Sequence, residues 1–354
     1  MSSSAKKIIQ AAAGAGGGQA AGNYIAVAHR GRVTLLDHTS PGSLSFSASV
    51  TSGFTGGANP RSLKFSPDGN YLAVPQVRGS QGFQLLDHTT PGSLSTSATY
   101  ALSQNGKTAA YSPDGNYIAV THVTGGDSKN FTLLDSSSAG SVSFSDSYLL
   151  GNGSSPYARG QGVSFSPDGN YIAAATGGFN SFPDFTLLSR SGGSVSFSDD
   201  LSGVGNNAGA AAFSPDGNYI AVGSETSPFF KLLSRSGGSV SLADTYTTAN
   251  YVIGSSAISW SPDGNYIAVA HYDSPYFTLL DHTTPGSVSL AATYTLAGNG
   301  YGTSFHPEGN YIAITISGST TFTLLNHSSG SVSLAATYTL SSDIDESGCD
   351  FSPN

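Results

Sequence analysis

The stretch Phe65-Ser-Pro-Asp-Gly-Asn-Tyr-Leu-Ala-Val74 decides the fold, because it recurs in near-identical form along the whole chain. Its Gly-Asn-Tyr core occurs seven times, with the Asn at positions 23, 70, 116, 170, 218, 265 and 310. Successive copies are therefore 45 to 54 residues apart. A fixed period of this length indicates a repeat architecture in which every copy is one supersecondary unit.

Each repeat is predicted to contain four strands. The first ends in an aromatic residue before Ser-Pro-Asp-Gly, a turn in which Pro presets φ, Asp bonds the backbone ahead and Gly accepts a positive φ. The second strand, Tyr-Ile-Ala-Val, is apolar enough to be buried on both faces, and the third is Phe-Thr-Leu-Leu. The fourth alternates apolar and small polar residues, as expected of a half-exposed outer strand. Four such strands make one propeller blade.

One aromatic residue ends the first strand of every repeat, which predicts a shared core layer. The only tryptophan falls at this position and thus has a structural explanation. The seven residues are Phe65, Tyr111, Phe165, Phe213, Trp260, Phe305 and Phe351.

The two ends of the chain complement each other. Residues 22–27 form a second strand that lacks a first, and residues 349–353 form a first strand that lacks a second. Their pairing would leave no exposed radial edge. The sequence therefore predicts an all-β, seven-bladed β-propeller at 22–354, closed by a mixed blade from 22–50 and 343–354. Residues 1–21 are expected to be a flexible or helical N-terminal tail.

The repeat resembles that of WD40-like propellers of the TolB and YVTN type, whose Ser-Pro-Asp-Gly turn joins the two inner strands. The resemblance spans residues 22–354, with local departures such as His306-Pro-Glu-Gly309. It implies the propeller fold but no single activity, since these families include lactonases, periplasmic interaction modules and surface proteins. The leader Ala5–Gly18 is similar to the starts of marine bacteriophage structural proteins, which implies an anchoring role for residues 1–21.

Composition argues against several classes of function. The net charge is −9, and the 13 basic residues form no cluster, so a nucleic-acid partner is not expected. No apolar stretch approaches the roughly 20 residues that span a bilayer. Cys349 is the only cysteine and is expected to be a small buried residue. The chain has no nucleophile elbow, His-Glu-x-x-His motif or phosphate loop, and we expect no catalytic residue, metal or cofactor.

The antiparallel order sorts the loops onto two faces. The first-to-second and third-to-fourth turns are nearly the same in every repeat and define the repeat-turn face. The opposite, variable-loop face carries loops that differ between repeats, and such loops on a rigid scaffold concentrate binding residues. Its second-to-third loops are predicted at 30–32, 75–82, 121–130, 174–184, 223–229, 270–276 and 315–321. Its inter-blade loops are predicted at 51–60, 101–107, 151–161, 202–209, 247–256, 297–302 and 341–348.

Aromatic residues are scattered among Gly, Ser and Asn in these variable loops. This composition resembles adaptable paratopes, and aromatic rings also suit sugar rings. We therefore expect the variable-loop face to bind a glycan or a protein; the alternative is that these rings only pack the loops down. The candidate ligand-binding residues are Tyr157, Phe179, Phe182, Tyr251, Tyr272, Tyr276 and Tyr301.

The histidines are divided between the two faces. His29, His122 and His271 follow the second strand at the variable-loop face, in repeats too far apart to converge on a metal. The other turns carry Asp37-His38, Asp87-His88 and Asp281-His282, which we interpret as charge partners within a turn. All of these histidines are expected to be structural.

Three functional hypotheses remain. The first is a non-enzymatic binding or structural protein, extracellular or on a virion, that residues 1–21 could attach to a larger assembly. The second is a hydrolase of the propeller-lactonase kind, which would gather His, Arg, Asp or Glu at the central opening; Arg61, Lys107 and Arg159 are the charged residues noted there. The third is an intracellular WD40-like scaffold in the cytoplasm.

Overall fold

A computed structural model describes residues 23–54, 58–78, 82–124, 129–151, 159–177, 184–202 and 207–353. The predicted tail, 1–21, lies outside the described residues. The described chain forms seven antiparallel sheets in a ring, which confirms the predicted seven-bladed β-propeller.

Every blade has the same order of strands from the axis outwards. The innermost strands are β4 (Asn59–Pro60), β5 (Lys64–Phe65), β9 (Gly106–Tyr111), β13 (Arg159–Phe165), β17 (Ala210–Phe213), β21 (Ile258–Trp260), β25 (Gly300–Phe305) and β29 (Cys349–Phe351). The second strands are β1 (Tyr24–His29), β6 (Tyr71–Val77), β10 (Tyr117–His122), β14 (Tyr171–Gly177), β18 (Tyr219–Gly223), β22 (Tyr266–Ala270) and β26 (Tyr311–Ile316).

The third and fourth strands form the outer half of each blade. The third strands are β2 (Arg32–Asp37), β7 (Gly82–Asp87), β11 (Phe131–Asp135), β15 (Phe185–Ser191), β19 (Phe229–Ser236), β23 (Tyr276–Asp281) and β27 (Thr321–Ser328). The fourth are β3 (Ser45–Val50), β8 (Ser95–Ala101), β12 (Ser143–Tyr148), β16 (Ser194–Leu201), β20 (Ser239–Thr247), β24 (Ser289–Thr295) and β28 (Ser331–Thr339).

The Ser-Pro-Asp-Gly turn has the predicted chemistry. In blade 2, Asp68 Oδ1 accepts hydrogen bonds from Asn70 N at 3.1 Å and from Ser66 Oγ. Ser66 Oγ in turn accepts one from Tyr71 N at 2.9 Å. Gly69 has a φ of +75°, a conformation that costs glycine little.

The core lies between adjacent blades. The second strands are almost completely buried, as predicted, and the aromatic residues that end the inner strands lie beside them in the inter-blade clusters. Trp260 is 8% exposed, and its indole nitrogen donates to Ala212 O of the preceding blade at 3.0 Å. It therefore has the structural role predicted for it.

In blades 5 and 6 the residue that follows Leu-Leu-Ser or Leu-Leu-Asp joins neighbouring blades at the repeat-turn face. His282 Nδ1 bonds Gly264 O at 3.1 Å, and its ring contacts Trp260 of its own blade and Tyr219 of the preceding one edge-on. In blade 5 Arg235 takes this place, with its guanidinium 4.8 Å from the ring centre of Tyr171.

The Asp-His pairs act as charge partners only in part. Burial lowers the pKa of His88, and the charge of Asp87 opposes that change, as predicted. In the other two pairs the aspartate and the histidine bond different groups. Asp281 Oδ1 accepts from Thr283 N at 2.8 Å and from Thr283 Oγ1 at 2.6 Å, whereas His282 bonds the Gly264 carbonyl. Likewise, Asp37 Oδ1 accepts a hydrogen bond from Thr39 N, whereas His38 Nδ1 bonds Ser43 O. Each aspartate is occupied by its own turn, which leaves the histidine to the inter-blade contact.

The ring closes through a mixed blade. β29 pairs antiparallel with β1, and the partners include Ile25 with Phe351 and Val27 with Cys349. Cys349 is buried, as expected, and burial raises the pKa of its thiol. Asp350 extends the closure to blade 2, where its Oδ2 accepts a hydrogen bond from Phe65 N at 3.0 Å.

Within the ranges that the structure describes, no helix is of a length and apolarity that would cross a membrane.

Candidate functional site at the variable-loop face

The second strands extend further towards the variable-loop face than predicted. β6 runs to Val77 and β10 to His122, although loops were predicted from 75 and 121. The reason is that the side chains at these strand ends remain buried between blades instead of turning to solvent.

The histidines at these strand ends act within single blades. The Nε2 atoms of His29, His122 and His271 bond the third-strand hydroxyls of Thr34, Thr132 and Thr278 at 2.7, 3.0 and 3.0 Å. Burial, aided by the charge of Arg32, lowers the pKa of His29 to about 4, so this imidazole is neutral at pH 7. Among the described residues, no three His, Cys, Asp or Glu side chains converge as a metal site.

The aromatic candidates differ in accessibility. Tyr157, Phe179 and Phe182 lie outside the described residues. Tyr251 is 41% exposed, and Tyr272 and Tyr276 are half-buried. Tyr301 is 8% exposed on β25 and belongs to the buried part of the blade.

Tyr251 and Phe229 form an aromatic platform between blades 5 and 6, and the backbone of Tyr272 lies beside it. The rings of Phe229 and Tyr251 meet edge-on, with centroids 5.7 Å apart. Tyr272 N donates to Tyr251 O at 3.0 Å, and Asn250 Nδ2 donates to Asp273 Oδ2 at 2.6 Å. The platform thus combines exposed ring surface with an amide and a carboxylate at its edge.

A second group of polar side chains lies near the axis and is called here the axial cluster: Arg61, Glu225, Tyr272, Asp345 and Glu346. Arg61 Nη1 forms an ion pair with Glu346 and donates to Asp345 O at 3.4 Å. Burial raises the pKa of Tyr272, and the charges of Glu346 and Glu225 raise it further, whereas Arg61 opposes them. Charged groups from blades 1, 2 and 5 therefore act on one tyrosine of blade 6.

Glu225 and Tyr272 hold equivalent places in neighbouring blades. Each is the second residue of a loop that continues through Ser-Pro to an aromatic residue with positive φ, Phe229 at 62° and Tyr276 at 72°. Asn207 Nδ2 donates to the Glu225 carboxylate and holds it in place.

Sequence reasoning found only part of the axial cluster. The sequence indicates Arg61 and Tyr272 as candidates but not Glu225, Asp345 or Glu346. Alignment of the two Ser-Pro loops relates Glu225 to Tyr272. Lys107 is half-buried on β9, and the side chain of Arg159 lies outside the described residues.

A buried pair of titratable residues lies between blades 4 and 5. Lys231 is 5% exposed, and its Nζ donates to Ser224 Oγ at 3.2 Å. Burial lowers the pKa of Lys231 to about 8, with Asp184 opposing the change. Burial also raises the pKa of Asp184 to about 6, against a hydrogen bond from Asn207 N and the charge of Lys231. Ser224 and Lys231 are both too buried to contact a substrate, so neither side chain can act as a nucleophile.

The axis itself encloses a cavity of about 490 Å³ lined by the inner strands of all seven blades. Towards the repeat-turn face its lining includes prolines of the repeated turns, such as Pro67 and Pro167. Towards the variable-loop face the blades meet closely: a Cβ on Gly209 would lie 2.3 Å from Ile253 Cα.

No protein-family model and no curated protein matches the sequence. Solved structures do match. A protein from Bacteroides uniformis, named as a proposed 6-phosphogluconolactonase, is 14% identical with a TM-score of 0.73, covering 91% of this chain and 98% of that one. The periplasmic gluconolactonase PpgL of Pseudomonas aeruginosa is 17% identical with a TM-score of 0.67, covering 91% and 98%.

A WD40-type propeller is similar as well. The β-propeller domain of Cps50 (Swd1) from Myceliophteria thermophila is 12% identical with a TM-score of 0.62, covering 83% of this chain and 91% of that one. At these identities the likeness concerns the fold, which hosts many unrelated activities.

Proposed function

We propose that this chain is a non-enzymatic binding protein that recognises a glycan with the aromatic platform of its variable-loop face. The observation that carries the proposal is the ring of Tyr251, which is 41% exposed and held by Phe229 and by the backbone of Tyr272. Rigid aromatic surface beside polar groups binds the apolar face of a sugar while hydrogen bonds orient its hydroxyls.

The polar groups around the platform suit a hydroxyl-rich ligand. Asp273 is exposed and Asn250 is half-buried beside Tyr251, and the axial cluster adds the carboxylates of Glu225 and Glu346. Carboxylate and amide oxygens accept hydrogen bonds from sugar hydroxyls. No cation stands free at the platform itself among the described residues, which favours a neutral glycan over an acidic one.

The chain ends support an outward orientation of this face. Asn23 O accepts a hydrogen bond from His38 N at 2.7 Å, so the described part of the chain begins in the repeat-turn region, opposite the platform. In our proposal residues 1–21 attach the protein to a larger extracellular or virion assembly. A chain lacking residues 1–21 should fold and bind glycan but should fail to join such an assembly; unchanged incorporation would contradict the anchoring role.

A glycan array tests the recognition proposal directly. We expect the wild type to bind a subset of neutral glycans, and Tyr251→Ala and Tyr272→Ala each to weaken binding at least tenfold. Phe144→Ala is the matched control, because Phe144 is 56% exposed on the outer strand β12, away from the platform. Binding that Tyr251→Ala leaves unchanged, or selective binding of a protein instead of any glycan, would reject the proposal.

A hydrolase acting on a sugar lactone is the second candidate, and the axial cluster favours it. The cluster gathers Arg61, Glu225 and Glu346 at the central opening, as that hypothesis requires, and a similar propeller from Pseudomonas aeruginosa is named a gluconolactonase. Hydrolysis of glucono-δ-lactone by the wild type, abolished in Glu225→Gln and Glu346→Gln, would favour this activity over binding alone. Hydrolysis by both variants at the wild-type rate would eliminate the hydrolase hypothesis. An intracellular scaffold would instead be found in the cytosol.

A further inference from the structure

We infer that the central cavity is a second binding site, for a small amphipathic carboxylate that enters from the repeat-turn face. This site is separate from the platform and does not depend on the function proposed above. It lies on the axis, and its volume of about 490 Å³ falls within the usual range for small-molecule pockets, roughly 300 to 1,000 Å³.

The wall of the cavity is mostly apolar and includes few kinds of polar side chain. The residue before each of the seven aromatics contributes to it, and five of these residues are only alanine or serine. The remaining two, Lys64 and Asp350, are the only charged residues among those described that line the cavity. The seven residues are Lys64, Ala110, Ser164, Ala212, Ser259, Ser304 and Asp350.

Lys64 and Asp350 differ in how much hydrogen-bonding capacity they have left. Asp350 has a side chain that is 6% exposed, and its two oxygens accept from Lys64 Nζ at 2.7 Å, Ser304 Oγ at 3.0 Å and Phe65 N at 3.0 Å. The side chain of Lys64 is 50% exposed, and within the described residues its ammonium donates to Asp350 alone. An ammonium has three donors, so two of them have no acceptor among the described residues.

This asymmetry determines the ligand chemistry. A cationic ligand would meet the exposed ammonium and a buried carboxylate that already accepts three hydrogen bonds. A ligand with an acceptor oxygen would instead receive one or two hydrogen bonds from Lys64, and bonds to an ionised acceptor are the stronger kind. The aromatic and proline side chains around the pair would cover an apolar body. A monocarboxylate with an aromatic or aliphatic body satisfies both requirements.

The direction of entry follows from the two ends of the cavity. At the variable-loop end, glycine contacts such as Gly209 against Ile253 and Gly254 against Tyr301 bring the blades together. At the other end the lining includes Pro67, which is exposed on the repeat-turn face. A ligand therefore reaches Lys64 without passing the axial cluster.

Calorimetric titration with 2-naphthoate and its neutral isostere 2-naphthamide tests the inference. We expect the wild type to bind the carboxylate at least tenfold more tightly than the amide. Lys64→Met should remove that preference, and Ala212→Phe, which fills the cavity and keeps Lys64, should abolish both. Lys107→Met is the control outside the cavity lining and should bind as the wild type does.

Because Lys64→Met leaves Asp350 without its cation, the double variant Lys64→Met/Asp350→Asn removes both charges together. It should fold with the wild-type circular dichroism spectrum and bind the carboxylate and the amide equally. Absence of 2-naphthoate binding to the wild type would overturn the inference. So would equal binding of the two probes, or undiminished carboxylate binding to the folded double variant.

Discussion

Replacing Lys231 by methionine should stabilise the protein, because it removes an ammonium group from the interior of blade 5. Lys231 is 5% exposed, and burial lowers its pKa from 10.5 to about 8. At 1.36 kcal/mol per pKa unit, this corresponds to about 3 kcal/mol of native-state stability lost while the amine is protonated. Methionine keeps an unbranched apolar stem in the same space.

Two losses reduce the gain. The hydrogen bond from Lys231 Nζ to Ser224 Oγ, 3.2 Å long, disappears, and such a bond contributes about 1 kcal/mol. Asp184 also loses the positive charge that partly offsets its own burial. We therefore expect Lys231→Met to raise the free energy of unfolding at pH 7 by about 1 to 2 kcal/mol.

The pH dependence identifies the cause. Between the native pKa of about 8 and the ordinary value of 10.5, the unfolded chain binds more protons at Lys231 than the native protein does. Wild-type stability from this group therefore rises as pH increases through that range. Asp184 acts with the opposite sign: its native pKa of about 6 exceeds 3.8, so its contribution falls as pH rises between them.

Urea unfolding followed by the fluorescence of Trp260, the only tryptophan, measures both effects. Lys231→Met should have a higher midpoint at pH 7, and its advantage should shrink towards pH 10. Lys107→Met, at a half-buried lysine of β9, is the control and should show no such convergence. A lower midpoint for Lys231→Met at pH 7, with a constant difference from wild type up to pH 10, would refute the reasoning.

Three further predictions concern contacts between blades. Asp244 Oδ2 accepts a hydrogen bond from Val288 N of the next blade at 2.8 Å, and this bond is the main reason that the pKa of Asp244 is lowered. The equivalent position on the outer strand of blade 6 is Ala292. Asp244→Ala should therefore lower the free energy of unfolding by about 1 kcal/mol, and Ala292→Asp should raise it by a similar amount, as measured by urea unfolding at pH 7. Because the native pKa of Asp244 is lowered, both effects should fade below about pH 4. Persistence of both effects at pH 2.5 would contradict the assignment. Gly209→Ala should lower the melting temperature strongly, because its Cβ would lie 2.3 Å from Ile253 Cα, whereas Gly298→Ala, whose Cβ would lie 3.3 Å from Ile316 Cγ2, should change it little. His282→Arg should keep the melting temperature, since Arg235 fills the same place in blade 5, whereas His282→Ala should lower it; equal losses in the two variants would show that the ring contacts contribute nothing.

The repeat made most of the fold predictable, because each rule is local and occurs seven times. Ser66, Asp68 and Gly69 form the expected turn, and β1 meets β29 as the incomplete ends require. The Asp281-His282 interpretation failed because the partner of His282 is the Gly264 carbonyl, which is 18 residues away and reached only through the blade.

The candidate site was harder to predict, because its parts come from different blades. Alignment of the Ser-Pro loops relates Glu225 to Tyr272, but no sequence pattern indicates that Glu346 pairs with Arg61, about 285 residues earlier in the chain. Tyr301 has the sequence context of a loop residue, yet β25 begins at Gly300 and buries it. Side chains from different blades converge at the axis only because the blades form a ring, and the pattern of a single repeat does not indicate which of them will meet.

The mixed blade makes ring closure a late event in synthesis. All strands of blades 2 to 7 precede Cys349–Phe351 in the chain, so β1 has an unpaired inner edge until β29 is made. An open strand edge accepts any extended segment of suitable sequence. The inner edge of β1 is therefore protected only once β29 has paired with it.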